Sequence, residues 1–210
     1  MSTLTTSPNP KLRDHPEIAE LFRIAESRHL TDEEFARYQT LFPEHADRLE
    51  AAQEVRAAEL SVVTNTVKQV FFLYPYPKYH EHAKDKCIRD VSYVSAYATH
   101  SMLMDDSDWF RDKLLIWLKT ILGSFSYPAR EERKLDTPLN FLKTDTLRDP
   151  NRLPHPEITE HADTMPTKGK RSIYETYARL LVNYQQVLSP KAFALMQPHL
   201  QLALDILASD

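Results

Sequence analysis

Glycine, cysteine and long apolar runs are all scarce in this chain. Its 210 residues include 2 glycines and 1 cysteine, against 14 prolines. A phosphate-cradling loop needs several glycines in one turn, so that backbone N–H groups can approach the anion. Gly123 and Gly169 stand far apart, which excludes nucleotide-binding loops of that kind. Cys87 alone can form neither an intrachain disulfide framework nor a cysteine-based zinc or iron–sulfur site. The longest uncharged stretch near the middle, Val91–Met104, falls short of the roughly 20 apolar residues that span a bilayer. Basic residues are not in excess either: 26 Lys and Arg face 30 Asp and Glu, a net charge of −4. That balance gives no electrostatic case for nucleic acid or an anionic membrane. The first ten residues have neither a basic start nor an apolar core, so no secretory signal is expected. A reducing, cytoplasmic setting follows as the expectation.

What is present is helical. Prolines break helix interiors but suit starts and loops. Their positions leave 17–42, 44–74, 78–127 and 167–189 as helical territory. In these intervals apolar residues recur at helical spacing and do not alternate. Ile18, Leu21, Phe22 and Ala25 form the first stripe. Thr31 through Glu34 reads as a capping box, with Phe35, Tyr38 and Phe42 after it. Leu49, Val55, Leu60, Val63, Val67 and Val70 line a long helix that stops at Tyr74-Pro75-Tyr76-Pro77. Ile88, Val91, Ser95, Ala98 and Met102 form another stripe, and Leu114 to Phe125 the next. Two last helices carry Ile173 to Tyr184 and Phe193 to Leu207. Residues 128–171, rich in proline and charge, read as a loop or insertion, and residues 1–13 as a disordered tail. About seven helices around one core and no strand are expected, in a single domain over 14–210.

Few residue groups suggest chemistry. Cys87 and Asp90, three apart near a helix start, share a face flanked by Lys86 and Arg89. A nucleophilic sulfur, a carboxylate and two cations in one turn can hold a large anionic ligand. The same turn also reads as a solvated helix start with one buried thiol. Asp105, Asp106 and Asp108 can ligate a divalent cation, but fit better as caps and first-turn charges of the next helix. His80 and His82, two apart, face away from each other on a helix and do not chelate readily. Lys168 to Arg171 reads as a solvated basic turn, and the tryptophans Trp109 and Trp117 as core. No hydrolase elbow or metalloprotease pattern occurs, and no enzyme is expected.

Three stretches, in this order, resemble the phycobiliproteins, the globin-like subunits of phycobilisomes such as phycocyanin and allophycocyanin. The first runs from Leu30-Thr31-Asp32-Glu33-Glu34 to Arg48-Leu49-Glu50-Ala51-Ala52. The second is the helix ending at Phe72-Leu73-Tyr74-Pro75-Tyr76. The third, Cys87 to Asp106, is similar to the signature C-x-R-D-x-x-Y-x-x-x-Y-x-T-Y-x-x-L-x-G-D, matching at Cys87, Arg89, Asp90, Tyr93, Tyr97, Thr99, Leu103 and Asp106. The resemblance covers 14–127 well and resumes more weakly over 173–208.

The resemblance implies an all-α, globin-like fold with an N-terminal helical hairpin, and an inserted loop before the last two helices. It implies a bilin, an open-chain tetrapyrrole of the phycocyanobilin type. Cys87 would carry it as a thioether, Asp90 would bind its pyrrole N–H groups, and Arg89 and Lys86 would pair with its propionates, with Tyr93 and Tyr97 alongside. Light harvesting or energy transfer is the implied role. Implied partners are phycobiliprotein-like subunits, photosynthetic complex components or a second copy, at the cytoplasmic face of the thylakoid membrane. Three departures stand out. Only 11 residues separate Pro75 from Cys87, shortening a segment that lines the family's bilin pocket. The family's glycine is Asp105 here, and the tyrosine after Thr99 is His100. The stretch 128–171 has no counterpart in an ordinary subunit. These departures motivate an alternative: a relative that assists assembly, degradation or regulation of phycobilisomes or photosystems, or tetrapyrrole handling, and binds bilin weakly or not at all.

Overall fold

A computed structural model of the protein describes residues 12–74, 82–125 and 153–209. Among these residues every regular element is helical. A short 3₁₀ turn, Leu12–Asp14, leads into α1 (Pro16–Ile24), where Pro16 sits in the first turn. Its fixed φ and missing N–H cost nothing there. Helix α2 (Asp32–Leu41) starts on the expected capping box. The Thr31 hydroxyl accepts from the Glu34 N–H at 3.3 Å, and the Glu34 carboxylate accepts from the Thr31 N–H at 2.8 Å. Together α1 and α2 form the N-terminal hairpin.

Helix α3 (Ala46–Leu73) ends one residue before Tyr74, whose successor Pro75 disfavours helical geometry at that position. Helix α4 (Ala83–Met104) is the centre of the molecule: every residue from Val94 to Met104 is buried. A helix apolar or sealed all round must be enclosed by others. It ends at Asp105, whose φ of 52° is left-handed. The Asp106 N–H then bonds the Ser101 carbonyl at 3.0 Å, and the Asp105 N–H the Met102 carbonyl at 3.3 Å. That is a Schellman closure. The chain restarts at once as α5 (Ser107–Phe110), a π-turn (Arg111–Leu115) and α6 (Ile116–Phe125). Asp106 caps this run by accepting from the Trp109 N–H at 3.1 Å, the role expected for the acidic cluster.

Three helices follow residue 153: α7 (Pro156–Ala162), α8 (Lys168–Val187) and α9 (Pro190–Ala208). Ser189 caps α9. Helices α3, α4, α8 and α9 pack on one another around the core, with the hairpin over the C-terminal half of α4. Phe22, Phe35 and Tyr38 carry the hairpin's buried face, and the Tyr38 hydroxyl donates to the Leu103 carbonyl at 2.6 Å.

Several expectations need correction. The stretch 128–171 is not all loop: 156–162 is helix α7, and 168–171 is the first turn of α8. Proline misled here. Pro156 marks a helix start, and Thr167, after Pro166, is a cap that accepts from the Lys170 N–H at 3.2 Å. Leu60 and Trp117, read as core, are 74% and 59% exposed. Residues 12 and 13, expected as the end of a disordered tail, belong to the 3₁₀ turn Leu12–Asp14; residues 1–11 of that tail, 75–81 of the shortened segment with His80, and 128–152 of the insertion lie outside the described residues.

Candidate functional site

Side chains in the first turns of α4 grade from solvent to core. Lys86 and Arg89 are exposed, Cys87, Asp90 and Tyr93 half-buried, and Val91 buried. Cys87 and Ile88 pack against the apolar core. The helical spacing of Cys87 and Asp90 is realised, and burial, with the Asp90 charge added to it, pushes the Cys87 thiol up to about 12. At neutral pH this sulfur is a protonated thiol, not a thiolate.

Arg89 is folded onto its neighbour. Its Nη2 and Nε donate to Asp90 Oδ1 at 2.7 and 2.9 Å, and its guanidinium carbon lies 5.9 Å from the centre of the Tyr93 ring. With side-chain exposures of 54% and 38%, the pair is exposed enough to exchange partners at little cost.

Behind this turn stands Tyr177 of α8, 4% exposed. Burial first, then the charges of Cys87 and Asp90, push its phenol upward, and Tyr177 and Cys87 belong to the same apolar core. The helical stripe of α8 marks Tyr177 only as core. Nothing in its spacing shows that the stripe abuts the cysteine turn.

Tyr97 belongs elsewhere. It is ten residues beyond Cys87, about 15 Å along the helix axis. It is buried and stacks on Trp109 at 5.4 Å between ring centres, and burial, then Glu26, raises its phenol. Lys86, Cys87, Arg89, Asp90 and Tyr93 are thus brought together, and Tyr97 is not.

The donor set suits a bilin: a thiol for attachment, a carboxylate for ring N–H groups, two exposed cations for propionates, and aromatic surface from the half-buried Tyr93. Metal chemistry has less support. Among the described residues no three His, Cys, Asp or Glu side chains are grouped to hold an ion. No described helix is long and apolar enough to cross a membrane. A family model described as Phycobilisome protein matches residues 25–151, more than half of the chain, including α2 to α6 and the Cys87 turn. No curated protein and no solved structure matches.

Proposed function

Because the chain belongs to the phycobilisome protein family, we propose that it holds a bilin through Cys87 and serves in light harvesting or energy transfer. The observation that carries this reading is the first turn of α4. There a half-buried thiol and the Asp90 carboxylate share one helix face, with the Arg89 guanidinium folded onto that carboxylate from the flank, inside the matched region. A bilin supplies a conjugated chromophore that absorbs visible light. Cys87 would hold it covalently. Asp90 would accept from its N–H groups once Arg89 turns from Asp90 to a propionate, with Lys86 taking the other. Tyr93 would restrict its motion. The proposed partners are phycobiliprotein-like subunits, photosynthetic complex components or a second copy, at the cytoplasmic face of the thylakoid membrane.

Co-expression with bilin-producing enzymes tests the proposal. The purified protein should be coloured and give zinc-enhanced fluorescence on a denaturing gel, and Cys87→Ser should abolish the gel signal. A colourless wild-type protein, under conditions that colour a standard phycocyanin subunit, would sink it.

The Arg89–Asp90 pair and the protonated thiol favour a second reading, a non-antenna relative that assists or regulates phycobilisomes or photosystems without a stable chromophore. In that case the same co-expression leaves the protein colourless, and affinity capture from a phototroph recovers phycobilisome, photosystem or tetrapyrrole-pathway components.

A further inference from the structure

Two buried imidazoles that the Cys87 turn does not use lie beneath the N-terminal hairpin. His100, in the enclosed stretch of α4, is 0% exposed, and neither ring nitrogen has a hydrogen-bond partner. His29, in the connection from α1 to α2, is 7% exposed. Its Nε2 lies 3.3 Å from Glu59 Oε1 of α3, without the alignment of a hydrogen bond. A neutral imidazole always carries one N–H donor, and a buried donor left unmade is costly. A bound metal is not the explanation, since no third ligand joins them among the described residues.

Each element packed against His100 brings either an apolar ring or a charge already committed elsewhere. From α1 comes Phe22, with ring centres 4.8 Å apart, and from α5 Trp109, at 6.2 Å. The α1–α2 connection brings His29 and Arg28, both of which oppose a charge on the ring, and the Arg28 carbonyl, which favours one. From α2 comes Glu34, engaged with both guanidinium nitrogens of Arg28 at 2.7 and 2.9 Å and with the Thr31 N–H. From α3 comes Glu59, which stands against His29, and on α4 itself Tyr97, whose phenol faces Glu26.

We propose that His100, set against His29, is a pH-sensitive latch that keeps the α1–α2 hairpin docked on α3 and α4 while its ring is neutral and releases it on protonation. The hairpin is the element that can leave. It joins the core through one covalent connection; of the polar contacts that fasten it, the Asp32 end of the Arg56–Asp32 ion pair is exposed, while the buried bond from the Tyr38 hydroxyl to the Leu103 carbonyl must part on release. Burial first, then His29, pushes His100 down to about 3 in the docked state. Once the hairpin swings out, the ring regains the ordinary value near 6.5. The docked state therefore has its full stability above about pH 6.5 and loses it as pH falls toward 3. From pH 7.5 to 5.0 the open population should rise about 30-fold. Release uncovers the apolar faces of Phe22, Phe35 and Tyr38.

Amide hydrogen exchange on the full chain at pH 7.5 and 5.0, corrected for the intrinsic pH dependence of exchange, tests the latch. Peptides within 16–41 should show about a 30-fold greater opening at pH 5.0, and peptides of α8 and α9 much less. His100→Phe, aromatic and untitratable, should remove the hairpin's extra opening. In parallel, opening of the hairpin in the wild-type protein should rise about tenfold per pH unit below about 6.5, as uptake of one proton on opening requires, a readout that does not depend on the variant folding. The proposal is overturned if hairpin exchange follows intrinsic chemistry alone, if His100→Phe keeps the wild-type pH dependence, or if opening below about pH 6.5 takes up no proton.

Discussion

Asp105 shows what one residue type costs at a constrained backbone position. Its left-handed conformation, φ 52° and ψ 42°, closes α4, and in L-residues other than glycine that region crowds Cβ against the carbonyl. This is the position at which the phycobiliprotein pattern carries glycine. Asp105 recovers little through Arg48, 3.0 Å away, because the carboxylate is 72% exposed. Asp105→Gly should therefore stabilise the protein by about 0.5–1 kcal/mol. The urea midpoint should move up at an unchanged m-value; a lower midpoint would show that the Arg48 pair outweighs the backbone strain. Cys87 makes the complementary point. Its placement on a helix face is a property of spacing, but its protonation state is set by what buries it. That cover includes core residues far along the chain, among them Tyr177.

At the scale of elements, α7 is held by a buried ion pair. Arg179 and Glu175, one turn apart on α8, are both fully buried and meet at 2.6 Å. Arg179 also donates to the Pro154 carbonyl at 2.8 Å and to the Thr159 hydroxyl at 2.9 Å, tying the entry and body of α7 to the bundle. Burying two charges is expensive, and removing one strands the other, especially since Glu175 Oε1 has no partner of its own. Arg179→Met should cost about 3–5 kcal/mol. The double variant Arg179→Met with Glu175→Leu should recover much of that loss in denaturant titration; an equal loss in both would place the cost in α7 docking and not in the stranded charge. The hairpin follows the opposite logic. Its capping box is local, so it is readable as Thr31-x-x-Glu34. The Arg28 guanidinium then holds the Glu34 carboxyl at about 2. That contribution is complete above about pH 4.5 and fades toward pH 2, below the pH 5.0 to 7.5 interval over which hairpin opening is compared.

For the whole molecule, buried histidines set the acid limit. His199 of α9 shares a 2.8 Å hydrogen bond with the Ser101 hydroxyl of α4, and burial with the nearby Arg48 lowers it to about 4. A base with a lowered folded value adds stability above its unfolded value, and that stability is lost as pH falls from about 6.5 to 4. Its share is on the order of 3 kcal/mol at the acid end. Thermal midpoints should therefore climb between pH 4.5 and 7, and His199→Gln should flatten part of the climb. A variant with the full wild-type slope would assign the acid sensitivity to other groups. His199 joins α9 to α4 and His100 joins the hairpin to α4, so global and local acid responses are separable.

Local signals suffice for much of this protein. The capping box, the proline-bounded helices, the stripes of α1 to α4 and the Cys87-x-Arg89-Asp90 turn depend on residues a few positions apart, and short-range spacing determines them. The family is likewise legible in the Cys87 to Asp106 signature, within the matched region. What only the tertiary structure decides are the encounters between distant segments. These are Tyr177 behind Cys87, Tyr97 drawn to Trp109 and Glu26, Arg179 reaching back to Pro154, and His29 laid against His100. No periodicity encodes them, because burial and charge at each depend on which helix packs on which. Leu60 and Trp117 lie on apolar stripes yet face solvent for the same reason.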